Sequence, residues 1–120
     1  MLTTMIFAKD HGAMAAFYQR GFELRVDAAA SSEGYTVLVD DASRLSIHAI
    51  PPDLAESITI AEPPETRSEG AVKLLFEVAD LAPTCDRLVS LGGQLFATTT
   101  DDAFDGCDVE GNVFRVSSVP

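Results

Sequence analysis

Two histidines, two cysteines and eight basic side chains are the main chemical resources of this 120-residue chain. His48 lies in a run of strand character, residues 44–50, and an imidazole is the side chain best suited to exchange a proton near neutral pH. Lys73 and Arg115 lie in two other such runs. An ammonium and a guanidinium on one sheet face would bind a carboxylate, phosphate or enolate, the guanidinium by a two-pronged contact. The plainer reading is that both cations pair with Glu77 or another carboxylate and keep the face solvated. Cys85 and Cys107 have neither the spacing of a metal pair nor the number of a disulfide framework, so they read as reduced thiols. Asp101, Asp102, Asp105, Asp108 and Glu110 form an acidic run without the alternating oxygen ligands of a calcium loop, and are expected in turns. His11 is expected to be exposed in the first turn of a helix. No glycine-rich phosphate loop, nucleophile elbow or pair of catalytic carboxylates is present.

The elements that must position these groups occur twice. Residues 2–8 have strand character; Asp10 then caps a helix carrying Met14, Phe17 and Tyr18 on one face, and Gly21 stops it. Seventy residues on, 72–78 repeat the strand and Asp80 the cap, and Leu81, Cys85, Leu88 and Val89 form the helix face before Gly92-Gly93. Pro83 fits an early helical turn, where its missing amide has no intrahelical partner. Three short strands are expected after each helix, at 22–27, 35–40 and 44–50, then at 94–98, 104–108 and 112–118. The fold class is therefore α+β, a single domain of two tandem βαβββ modules. Module one covers 1–50 and module two 71–120. Residues 51–70, with Pro51-Pro52 and Pro63-Pro64, form a linker with one helical turn near 53–56.

Strand alternation assigns the faces. Thr4, Ile6 and Ala8, and in the repeat Val72, Leu74, Phe76 and Val78, form the more apolar faces that meet the helices. Met5, Phe7, Lys73, Leu75 and Glu77 face the other way. Leu45 and Ile47 point to the core, and Ser46 and His48 away from it. Phe114 and Val116 face a helix while Arg115 does not. A module of this kind has one bare sheet face, so two modules can curl their mixed sheets around a shared cleft. Met5, Phe7, Ser46, His48, Lys73, Leu75, Glu77 and Arg115 are its expected ligand-binding lining, with His48 the candidate catalytic group.

Nineteen acidic against eight basic residues give a formal net charge of −11, which repels a nucleic acid backbone and excludes that partner. No apolar stretch approaches the roughly 20 residues that span a bilayer, and the N-terminus reads as a strand rather than a signal peptide. A cytoplasmic protein without a membrane partner is expected.

The segment Ala16-Phe17-Tyr18-Gln19-Arg20-Gly21-Phe22-Glu23-Leu24 and the closing Asp108-Val109-Glu110-Gly111-Asn112-Val113-Phe114-Arg115-Val116 resemble the vicinal oxygen chelate superfamily. That superfamily includes glyoxalase I, bleomycin resistance proteins, extradiol dioxygenases and fosfomycin-resistance transferases. The resemblance covers nearly the whole chain, with about two residues missing between Phe-Tyr and Gly-Phe, so a shortened exit from the first helix is expected. It implies four metal ligands on the inward faces of the first and last strands of each module. Carried onto this sequence, they fall at Thr3, Lys73 and Arg115, with the counterpart of Arg115 at or next to His48. Of these, His48 alone has a metal-binding side chain. The resemblance therefore implies a metal-free small-molecule-binding protein similar to bleomycin resistance proteins, and a homodimer. The alternative is a glyoxalase- or dioxygenase-like lyase, isomerase or oxidoreductase using His48, with or without zinc, nickel, manganese or iron.

Overall fold

The Asp10 carboxylate accepts the backbone N–H of Ala13 at 3.1 Å, which satisfies one of the orphan amides at the start of the first helix. This helix, α1 (His11–Gly21), follows strand β1 (Thr4–Ala8). The computed structural model describes all 120 residues, and after α1 they form β2 (Arg25–Val26), β3 (Tyr35–Val39) and β4 (Arg44–Ala49). A one-turn helix, α2 (Pro52–Ala55), precedes the repeat: β5 (Leu74–Val78), α3 (Leu81–Ser90), β6 (Gln94–Ala97), β7 (Ala103–Cys107) and β8 (Val113–Ser118). The chain divides into two compact units, Met1–Thr59 and Ile60–Pro120. Each is a βαβββ arrangement with a mixed four-stranded sheet, ordered β1-β4-β3-β2 in the first and β5-β8-β7-β6 in the second. In both, the first and last strands run parallel and the remaining pairs antiparallel.

Within the first unit, α1 covers the face of Ile6, Ala8, Leu38, Leu45 and Ile47. Met14, Phe17 and Tyr18 are buried with Ala8, Leu38 and Ile47, as the helical and strand periodicities require. In the second unit, Leu88 of α3 is buried with Phe114 and Val116, and Phe76 meets Phe114 edge-on at 6.2 Å. The helix-free faces carry the exposed members of the same strands, Met5, Phe7 and Leu75.

Both helices end in the same way. Leu24 N–H bonds to the Gln19 carbonyl at 2.9 Å, and Gly93 N–H to the Leu88 carbonyl at 3.0 Å, the six-to-one bond of a Schellman turn. The left-handed residue in this turn is Gly92 (φ 99°) in the second unit but Glu23 (φ 56°) in the first. The sequence places the first stop at Gly21, yet α1 runs through that glycine and the reversal falls on glutamate. This turn consumes residues 22–24, so the strand expected over 22–27 shrinks to Arg25–Val26.

The proline-bearing stretch between the repeats is tied down at both ends. Lys9 Nζ bonds to the carbonyls of Ala55, the last residue of α2, and of Ile58 just beyond it, within the first unit. In the second, Arg67 donates its backbone N–H to the Gly111 carbonyl at 2.9 Å and its Nε to the Glu110 carbonyl at 3.1 Å. Gly111 has φ 91°, and a Cβ there would collide with the Glu65 carbonyl. Its position demands glycine both for conformation and for close approach. No helix is long and apolar enough to cross a membrane.

Candidate functional site

On the helix-free face of the first unit, the pleat brings Phe7, His48 and Tyr35 into one row across β1, β4 and β3. Phe7 is registered with His48, and His48 with Tyr35. The His48 ring lies 5.4 Å from that of Phe7 and 5.6 Å from that of Tyr35, in tilted and edge-on contacts. Gly34 (φ 72°) turns the chain immediately before Tyr35, and its carbonyl accepts the N–H of Ala49 at 2.8 Å. The start of β3 is thereby pinned to the end of β4. His48 Nδ1 lies 2.7 Å from the Ala49 carbonyl, and since that oxygen only accepts, Nδ1 carries the proton. In the neutral ring Nε2 then presents a lone pair, and no protein group bonds to it.

The next row of this face is Met5, Ser46 and Val37. Met5 is 47% exposed, so its thioether is available to a ligand. Ser46 is buried, and its Oγ receives the Tyr35 hydroxyl at 3.1 Å, so it orients that phenol. His11 is on the opposite, helix-covered side. It is half-buried rather than exposed, with Nε2 2.9 Å from Thr36 Oγ1.

In the second unit, Leu75, Arg115, Asp105 and Phe96 form a row across β5, β8, β7 and β6. Arg115 grips Asp105 with two bonds, Nε to Oδ1 at 2.8 Å and Nη2 to Oδ2 at 3.2 Å, and Lys73 Nζ reaches Oδ1 at 3.2 Å. The guanidinium bonds, supported by Lys73, hold the Asp105 carboxyl below the usual carboxylate range, and Asp105 in turn raises Arg115. Both expected cations thus share one carboxylate, and the partner is Asp105 rather than Glu77. Glu77 is exposed on the same face, in register with Ser117.

Asp105 sits in the middle of β7, inside the strand expected over 104–108, and so corrects only the expectation that the whole acidic run lies in turns. Its place two residues before Cys107 in an alternating strand was the available signal. Asp108 and Glu110 are buried, and Asp108 Oδ1 accepts the backbone N–H groups of Glu110 and Asn112 at 2.9 and 3.0 Å. The Asn112 side-chain amide adds a bond to each Asp108 oxygen. Tyr35 was also missed as a site residue: it begins a strand, and only register places it beside His48.

Register also corrects the correspondence between the repeats. Arg115 pairs with Leu75, the repeat of Met5, and Met5 pairs with Ser46. The counterpart of Arg115 is therefore Ser46, while that of His48, through Phe7 and Glu77, is Ser117. No three His, Cys, Asp or Glu side chains come together in a group that could hold a metal ion. The donor set likewise does not fit a divalent ion, because lysine and arginine stand where two ligands would be needed and each offers only protons. A groove of about 600 Å³ at the β6 edge of the second unit is lined by Ile60, Glu62, Val89, Gln94, Leu95 and Val109 among others, and contains none of the expected site residues.

These features define a duplicated βαβββ protein whose helix-free faces carry the side chains expected at its site. The chain belongs to the glyoxalase-like domain family, whose model matches residues 3–117, and so to the vicinal oxygen chelate superfamily. Among solved structures it resembles a glyoxalase/bleomycin resistance protein/dioxygenase family enzyme from Burkholderia phytofirmans PsJN, with a TM-score of 0.72, 22% identity and 98% of each chain covered. A glyoxalase-related enzyme from Fulvimarina pelagi gives a TM-score of 0.70 at 20% identity, covering 100% of this chain and 88% of the other. A mutant of the fosfomycin resistance protein FosX from Listeria monocytogenes, complexed with Mn(II) and 1S,2S-dihydroxypropylphosphonic acid, gives 0.69 at 13% identity, covering 98% and 87%. No curated protein sequence matches.

Proposed function

We propose that this chain is a small-molecule-binding protein that works without a catalytic metal, similar in kind to bleomycin resistance proteins, and that its ligand is held on the helix-free sheet faces. The observation that carries this reading is the row Phe7–His48–Tyr35, where a 57% exposed phenylalanine adjoins an imidazole nitrogen without a protein partner. Large apolar groups left in water beside a few oriented polar groups are the usual make-up of a ligand surface. Met5, Leu75 and Phe96 extend the same character, and Lys73, Arg115 and Glu77 supply charge. The metal-free part of the proposal rests on the donor set, in which lysine and arginine replace ligands. A cytoplasmic location and a homodimer are part of the same reading, the second copy completing the open edges of the sheets. The net charge of −11 disfavours nucleic acid as a partner.

A second reading, an enzyme of the lyase, isomerase or oxidoreductase type, is favoured by one observation. The Nδ1 bond to Ala49 fixes the tautomer of His48 and leaves Nε2 ready to accept a proton, as a general base requires. Elemental analysis after incubation with zinc, nickel, manganese and ferrous iron, followed by desalting, separates the possibilities. Less than a tenth of an equivalent per chain is expected. One retained equivalent that is lost in His48→Ala would overturn the metal-free proposal and favour a metal-dependent enzyme. Amide NMR with a small-molecule library should then show saturable shifts on the helix-free faces.

A further inference from the structure

We infer that the ligand of the first unit is a planar aromatic molecule bearing an O–H or N–H donor, which lies against the Phe7 and Tyr35 rings and donates to His48 Nε2. This inference rests on the small-molecule reading above and names the chemical class that the His48 row would accept. Its basis is a chain of proton placements. The Ala49 carbonyl can only accept, so the ring nitrogen 2.7 Å from it donates, and in the neutral imidazole the other nitrogen must accept. The hydroxyl of Tyr35, the cross-strand neighbour of His48, donates to Ser46 Oγ at 3.1 Å, so it does not satisfy Nε2. An acceptor flanked by two rings, with centroids 5.4 and 5.6 Å from its own, selects a flat partner that brings a proton. Against the neutral ring a carboxylate would set a lone pair against a lone pair, and it would also meet the overall charge of −11.

The test uses one ring system in three forms: 2-naphthol, its methyl ether 2-methoxynaphthalene, and 2-naphthoate. Long-range proton–nitrogen NMR of the free protein should show His48 protonated at Nδ1 and bare at Nε2. Titration with 2-naphthol should shift the amides of Phe7, Tyr35 and His48 to saturation. The ether should bind about tenfold more weakly, the loss expected for one hydrogen bond with its acceptor left unpaired. His48→Phe keeps the aromatic row but removes the acceptor, and should bind naphthol and ether equally. A proton on Nε2 in the free protein overturns the inference, as does equal binding of naphthol and ether by the unsubstituted protein or preference for the naphthoate. If other small molecules saturate this face while donor-bearing aromatics do not, the donor rule falls and small-molecule binding stands. If no small molecule shifts either helix-free face, both fall.

Discussion

A single side chain sets the electrostatics of the second unit's open face. Asp105 is held between Arg115 and Lys73, with its carboxyl depressed first by the guanidinium bonds. A carboxyl lower in the folded than in the unfolded state stabilises the fold above its unfolded pKa. That contribution is lost as pH falls through the folded value. Thermal unfolding followed downward from pH 6 should show a steeper acid loss in the parent than in Asp105→Asn, and the difference should shrink in high salt because all three groups are substantially exposed. Equal acid profiles would mean that the triad contributes nothing to stability. At the other end of the scale, burial pushes the Cys107 and Cys85 thiols up. Their contribution is fully present below the unfolded thiol pKa and declines as pH rises through the folded values. Folded-state thiol titration should therefore show slow reaction with a disulfide reagent at pH 8, rising sharply once the protein is denatured.

At the scale of elements, the two helices are natural controls for each other. Asp10 caps α1 with a side-chain bond to Ala13, whereas Asp80 occupies the same place before α3 without one. Asp10→Ala should cost about 1 kcal/mol in chemical denaturation, and Asp80→Ala clearly less. The reverse asymmetry appears at the C-termini, where Glu23 adopts the left-handed conformation that Gly92 adopts in the repeat. Glu23→Gly should raise stability by about 0.5–1 kcal/mol, provided the relieved backbone strain exceeds the added chain entropy and the lost side-chain interactions. Gly111→Ala should do the opposite, losing about 2 kcal/mol or more through positive φ and the collision with Glu65.

The whole molecule is a duplication whose halves have diverged in chemistry while keeping their frame. The row that is aromatic in the first unit, Phe7–His48–Tyr35, corresponds to Glu77–Ser117–Ala103 in the second. The ionic row Leu75–Arg115–Asp105 corresponds to Met5–Ser46–Val37. The proposed homodimer has a direct test at this scale. The melting temperature should rise with protein concentration, because association favours the folded state by mass action. A concentration-independent melt, with a monomer mass in solution, would remove dimerisation from the proposal.

Local periodicity by itself determined the βαβββ repeat, the capping role of Asp10 and the division of the strands into a core face and an open face, except at Val72, which was expected on the core face and lies exposed ahead of β5. Hydrophobic alternation and helix caps are properties of neighbouring residues, so they are written along the chain. The exposed Phe7 and Leu75 and the buried Ile47 and Phe114 follow from that alternation alone. Strand register and helix ends depend instead on which backbone groups find partners far along the sequence. Only the tertiary structure could therefore set Tyr35 beside His48, turn the His48 ring toward the Ala49 carbonyl, and make Asp105 the common partner of Lys73 and Arg115. The mistaken pairing of Arg115 with His48 across the repeats has the same origin. A shift of two residues preserves every inward and outward assignment that a sequence pattern can reveal, and only hydrogen bonding between strands distinguishes the two registers.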